Sequence, residues 1–414
     1  MKSLWKRFVN WILNNRKTLG VSLLVSLAIT IFSYVVGNSI HPMAGEYAAQ
    51  KQIADFKKFL GVQMGNVPDS ILFINVCYDK ELVPYEEEGM PVGQAPITDR
   101  EKLLKLLTAA KEAGNYRYIF LDVLFDKAFE TPVDSALYAT IMSMDRITIP
   151  QHKGTPLADD RLYRKAANAD YSVTWKQLTF AHYQFLHDDS IPSVALKMYA
   201  DRNHLEDGGI VPHWGGLWYT DNGRLCKNGI TLFINVSING SLLDEEGQMR
   251  ERNYIYLGAD LLDMDEVVPV KEQIADKILV IGDFKSDTHT TYVGAQPGSA
   301  CCINAYIMLM QGKHYVNWLN ILIMFIIYTT VGTFYLRGAS FQSLFANPWL
   351  GVLMSFLSTA TLFLVIAVIA FWHDIAFNMW VPTTIYSLID TYVQKRNIFK
   401  NKKKNEKIHP TPRA

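Results

Sequence analysis

Residues 98–126 read TDREKLLKLLTAAKEAGNYRYIFLDVLFD, and within them a helical period gives way to an apolar run. Leu103, Leu106, Leu107 and Ala110 recur at helical spacing, so one face of a helix is apolar and needs cover. Thr98 and Glu101 have the spacing of a capping box at its start, and Gly114 stops it. The run 117–125 (RYIFLDVLF) that follows is almost wholly apolar, the pattern of a strand buried on both faces. Upstream, 70–78 (SILFINVCY) is a second such run. Strand, helix and strand in this order predict a right-handed crossover in a mainly parallel or mixed sheet.

Outward from this unit, β runs are expected at 146–151, 178–185, 230–236 and 277–284, and helices at 43–63, 132–144, 192–203 and 301–312. Residues 79–96, with Pro84, Glu86–Glu88, Gly89, Pro91, Gly93 and Pro96, read as a loop. No internal repeat is seen, so 38–315 is expected to be one α/β domain.

Four apolar segments flank it: 19–37 before, and 316–336, 348–372 and 375–393 after. A bilayer core needs about 20 helical residues, which the first three supply without a charge. The fourth contains Asn378, Pro382 and Asp390. The formal net charge of the 414 residues is zero, yet it is unevenly spread. Residues 1–37 carry five cations and no anion, 38–315 carry 26 Lys and Arg against 37 Asp and Glu, and 394–414 carry eight cations against one anion. Cations near span ends stay on the cytoplasmic side. The segment 1–18 is therefore expected in the cytoplasm and 38–315 outside it. Only a fourth span at 375–393 returns the basic tail 394–414 to the cytoplasm, so four spans are expected, one before the domain and three after. The first is expected to be an uncleaved anchor, having a long apolar region and no Ala-x-Ala site. The acidic domain excludes a nucleic-acid partner, which demands a basic face.

Three stretches resemble the CHASE class of extracellular sensory domains, in its second type. They are 96–126, with its helix, Gly114 and Phe-Leu-Asp-Val-Leu-Phe-Asp; 191–200 (IPSVALKMYA); and 275–312, with ADKILVIGDFKSD, THTT and the helix containing Asn304. One span before and three after is also the family's arrangement. The resemblance covers about residues 43–393 and implies a bacterial inner-membrane sensor with a periplasmic domain. Such domains commonly feed an effector beyond the last span, but only 21 residues follow Val393 here. Signalling through a separate cytoplasmic or membrane partner is therefore expected.

Candidate site residues come from the strand ends. Asp122 and Asp126 end the run 117–125, Asp283 and Asp287 follow 277–281, and His289 lies just beyond. If those strands are parallel neighbours, the five gather at the carboxyl edge of the sheet, where open α/β folds bind ligands. Carboxylates with an imidazole suit a hard cation or a cationic ligand; turn capping is the bland role for the same aspartates. No phosphate loop, GxSxG elbow or Cys/His zinc spacing occurs. Neither a catalytic residue nor a cofactor is expected, and Cys77, Cys226, Cys301 and Cys302 do not make a disulfide framework. His182 and His187 are expected extended and on opposite faces, and the loop His213-Trp214-Gly215-Gly216 could line a pocket. The leading expectation is a membrane-anchored sensor of a small-molecule or envelope ligand. Tyr47, Ile53, Phe56 and Leu60 of 43–63 need cover, either from a second copy, in a homodimer through this helix and the first span, or from the domain's own sheet; periodicity leaves both open. The rivals are an extracytoplasmic metal-dependent hydrolase using the acidic edge, and a scaffold of an envelope complex.

Overall fold

The computed structural model describes residues 16–37, 46–61, 67–87, 90–170, 180–187, 191–205, 209–238, 253–337, 347–372, 377 and 379–408. The chain divides into two compact units, one built on Gln50–Val316 and one on the two ends of the chain. In chain order, α1 (Arg16–Gly37) and α2 (Glu46–Phe59) precede β1 (Ile71–Asn75), β2 (Lys80–Glu87) and β3 (Met90–Thr98). Next come α3 (Arg100–Ala113), β4 (Tyr118–Asp122), α4 (Asp134–Ser143), β5 (Ile147–Gln151) and β6 (Ala166–Asn168). The short strands β7 (His182–Gln184), β8 (Leu186–His187) and β9 (Ile191–Pro192) lead to α5 (Val194–Arg202). A meander of β10 (Ile210–His213), β11 (Trp218–Asp221) and β12 (Arg224–Lys227) is followed by β13 (Gly229–Thr231) and β14 (Tyr254–Tyr256). The unit closes with α6 (Val270–Gln273), β15 (Ile278–Gly282), the hairpin of β16 (Thr288–Thr291) with β17 (Gly294–Pro297), and α7 (Gly298–Met310).

A six-stranded sheet in the order β14-β1-β15-β4-β5-β6 is parallel throughout. Partners in register share a face. Leu72, Leu279, Ile119 and Ile147 therefore form one row, and Ile74, Ile281 and Leu121 the next. These rows join Leu103, Leu106 and Leu107 of α3 and Leu137 and Ile141 of α4 in one buried cluster. The alternate residues, Phe73, Val280, Phe120 and Thr148, face the other way, the side of α5, which packs on β4, β5 and α7. Helices on both faces explain the unbroken apolar strands. On α7, buried Asn304 accepts the Asn235 and Val236 amides and donates to the Val236 and Ala300 carbonyls, at 2.6–2.8 Å. This pins segment 235–236 to the helix.

Two expectations are corrected. Residues 79–96 are mostly strand, because β2 and β3 pair as an antiparallel ribbon; a two-stranded ribbon tolerates Pro84, Pro91 and Pro96 where a central strand would not. The cap of α3 lies one residue later than Thr98. Asp99 accepts the Lys102 amide at 2.9 Å, and the Arg100 amide goes to Glu81 of β2. Gly114 does end the helix, in the left-handed region at φ 62°.

The other unit contains α8 (Trp318–Leu336), α9 (Pro348–Trp372) and α10 (Trp380–Ile408) with α1. Among the described residues, Arg16–Val35, Trp318–Leu336 and Trp349–Ala370 are long and apolar enough to cross a membrane. The expected fourth span falls on α10 and on residues partly outside those described. Ser22, Ser26, Thr30 and Ser33 form a buried small-residue stripe on α1, as close helix packing in lipid favours. Ser22 donates to the Thr329 carbonyl at 2.9 Å, Tyr386 donates to the Tyr328 carbonyl at 2.7 Å, and Ser355 bonds Asp390.

Candidate ligand pocket at the carboxyl edge

Beyond the ends of β4 and β5 lies a cavity of about 260 Å³. Its wall includes Asp122, His152, Phe180, Asp287, His289 and Cys302. Three of the five expected residues thus meet there, Asp122, Asp287 and His289. The strands that carry the two clusters are neighbours, with Gly282 in register with Asp122.

Asp126 and Asp283 are not in the wall, which corrects the gathering of all five. Parity explains Asp283. Because Gly282 shares a face with Asp122, the next residue belongs to the opposite face. There Asp283 accepts Lys80 Nζ at 2.9 Å and the Lys285 and Ser286 amides at 3.1 and 2.9 Å. Burial would raise its carboxyl, but Lys80 and these amides outweigh it and hold it below the usual carboxylate range. Asp126 lies four residues past the strand end and caps its own turn, accepting the Ala128 amide at 2.9 Å.

Asp122 has the contrary surroundings. Burial and the nearby Asp287 carboxylate push it up to about 7, against one favourable hydrogen bond from Ser299 at the start of α7. Gly282 makes the room beside it: a Cβ there would stand 3.2 Å from the Asp122 Cβ. Gly298, also in the wall, does the same for the other pair: a Cβ there would approach Asp287 Oδ2 to 2.9 Å and His289 Nε2 to 3.0 Å. His289 Nε2 lies 3.4 Å from Asp287 Oδ1, and its ring stands 5.8 Å from that of Phe180.

His152, just past β5, escaped the sequence reading. Its Nδ1 meets Asp170 Oδ1 at 3.0 Å, while the Lys153 amide donates to Asp170 Oδ2 at 2.9 Å. Burial acts to raise Asp170, but the Lys153 amide and His152 more than offset it and its pKa falls. An imidazole donating Nδ1–H to a carboxylate keeps Nε2 as an acceptor when neutral. The available signal was position, since His152 follows its strand as Asp122 ends its own. Cys302 is no nucleophile: burial and Asp122 push its thiol well above the ordinary range, leaving it protonated. His182 is buried on β7 and His187 is only partly buried on β8. The aromatic glycine loop is the β10–β11 turn, with Trp214 exposed, and forms no part of the pocket wall.

Among the described residues, the wall holds two carboxylates and two imidazoles and no lysine or arginine. Such a wall favours a cation, and Phe180 adds an aromatic ring to it. Comparison of the chain with protein-family models, with curated proteins and with solved structures finds no match.

Proposed function

We propose that this chain is a membrane-anchored receptor whose α/β domain binds a small organic cation, an amine, at the carboxyl edge of its sheet. The observation that carries the proposal is the convergence of Asp122, Asp287 and His289 on one cavity of about 260 Å³. That size suits a ligand smaller than typical drug-sized ones, whose pockets run to roughly 300–1,000 Å³. Organic cations are preferred over bare metal ions because His289 and Phe180 supply flat, partly apolar surface beside the carboxylates.

In this reading the domain lies outside the cytoplasm of a bacterial cell, with both termini inside and α10 as a fourth span. The support is the distribution of cations: five before the first span and eight after the last. The resemblance to the second type of CHASE domain points the same way, and output passes to a separate membrane or cytoplasmic partner. A homodimer through α2 belongs to the same proposal, supported by exposed Phe56 and Phe59 on a helix that already buries Ile53 and Ala54.

Two experiments test it. Alkaline phosphatase fused after Lys313 is expected to be active and the same fusion after Lys404 inactive; activity at both positions removes the fourth span. Purified full-length chain is titrated calorimetrically with ethanolamine, putrescine and phenethylamine. At least one is expected to bind saturably to the wild type and at least tenfold more weakly to Asp287→Ala, about 1.4 kcal/mol. No saturable binding by any of the three rejects the amine reading.

A further inference from the structure

A second cluster lies in the same unit, apart from the pocket wall. Asp221, Cys226 and His314 are all buried, and their ligating atoms lie within 4.8 Å of one another. They come together through local pairing. Asn222 and Gly223 turn β11 into β12 with φ 46° and 79°, the left-handed pair that two-residue hairpins prefer. Asp221 stands at the turn and Cys226 opposite Tyr219. The segment 314–316 then lies along β12, with the Lys227 amide on the His314 carbonyl at 2.9 Å, a bridge between Cys226 and Tyr315, and the Val316 amide on the Leu225 carbonyl at 3.0 Å.

The imidazole is the unexplained group. His314 is fully buried among Tyr199, Tyr219 and Tyr315, yet its Nδ1 has no hydrogen-bond partner among the described residues. Its Nε2 meets Asp221 Oδ2 only at a long 3.5 Å. Nε2 too has no hydrogen bond within ordinary reach among the described residues; a buried polar nitrogen without a partner is costly, and a metal ion on Nε2, the nitrogen that faces Asp221, would remove that cost there. Asp221 is already oriented as a ligand needs, with Oδ2 accepting Tyr199 and Tyr315 hydroxyls at 2.9 and 2.7 Å.

The geometry points to a metal site in which Asp221, Cys226 and His314 hold a zinc-class divalent ion. One oxygen, one thiolate and one imidazole form a borderline-soft donor set that fits zinc and not calcium or magnesium, which take oxygen ligands. Bond lengths of about 2.0–2.3 Å put tetrahedral ligand atoms roughly 3.3–3.8 Å apart. The Asp221–His314 contact already falls in that range; Cys226 Sγ lies within 4.8 Å of both ligand atoms and would give up its 3.2 Å contact with the Arg224 carbonyl to close on the ion. Cys226 must release its proton when the metal–sulfur bond forms, since the thiolate is the ligand.

The test uses full-length chain in detergent, stripped with a chelator and titrated with cobalt(II), then zinc(II). A thiolate-to-cobalt charge-transfer band is expected to saturate at one ion per chain and to be abolished by zinc. Cys226→Ser is expected to lose the band, and Asp221→Asn to weaken metal retention after dialysis against a competing chelator. Absence of the band in the wild-type chain overturns the site whatever the variants do. A band that survives in folded Cys226→Ser, which keeps the other three cysteines, overturns it equally.

Discussion

Asp122 and Asp283 occupy the ends of adjacent parallel strands, one residue apart in register, and their chemistry is opposite. Asp283 faces a lysine and two backbone amides and is held below the ordinary carboxylate range. Asp122 is buried near a second carboxylate and rises to about 7. The difference separates two uses of an aspartate at a strand end. Where the next loop returns amides to the carboxylate and another strand adds a cation, the residue closes a turn. Where the segment after the neighbouring strand brings a second carboxylate and an imidazole, the charge is left for a ligand to neutralise. A pKa raised in a cleft by burial and a named partner is a physical mark of a functional site.

The largest effect is expected from Asp122→Asn. The folded pKa of Asp122 exceeds its ordinary value of 3.8, so below about pH 4 its protonated form costs the fold nothing. As pH rises from about 4 to 7 the unfolded chain ionises first and stability falls. At pH 8 the variant is therefore expected to be more stable by roughly 2 kcal/mol, within the limit of about 1.4 kcal/mol per pKa unit, with the gain vanishing near pH 4. Thermal unfolding of the purified chain across that range measures it.

Asp283→Ala is expected to act with the opposite sign. Its carboxylate pKa is depressed, so its contribution is present above about pH 4 and lost as pH falls through the folded value. Losing hydrogen bonds to two amides and Lys80 should cost about 1–2 kcal/mol at pH 8. The same unfolding experiment reads it, and equal signs for the two variants break the contrast. A third substitution, Gly298→Ala, is expected to lower amine affinity about tenfold, near 1.4 kcal/mol, while changing stability by less than about 0.5 kcal/mol. The added Cβ displaces the flexible ends of Asp287 and His289, not backbone. The smallest effect belongs to Lys80→Ala: a partly exposed ion pair contributes at most about 1 kcal/mol.

Much of the sheet was legible because its strands are buried on both faces. The runs at 70–78, 117–125, 146–151 and 277–284 became β1, β4, β5 and β15. β14 was not, since a three-residue strand carries too little pattern. The β2–β3 ribbon was hidden by three prolines and a glutamate run that ordinarily mark loops. At the pocket, strand-end position found Asp122, Asp287 and His289 but overreached to Asp126 and Asp283. Matching 119–122 (IFLD) to 279–282 (LVIG) puts Asp283 out of phase, so the parity was in the sequence without being read. Asn222-Gly223 was an equally readable hairpin signal. That His314 should meet that hairpin was not readable, because it depends on pairing across almost 90 residues.

The most direct measurement is the pH dependence of amine affinity in the wild-type chain and in Asp122→Asn. Calorimetry at pH 6 and pH 8 with the amine of the three that binds the wild type most tightly suffices. His152, His289 and Asp287 also face the cavity, and the variant keeps all three, so any slope from them persists in it. With Asp122 titrating near 7, its ionised fraction rises about tenfold between those pH values. Wild-type affinity is accordingly expected to increase about tenfold, and the Asp122→Asn slope to be several-fold shallower. Equal slopes in the two proteins would contradict a titrating Asp122 at the binding site.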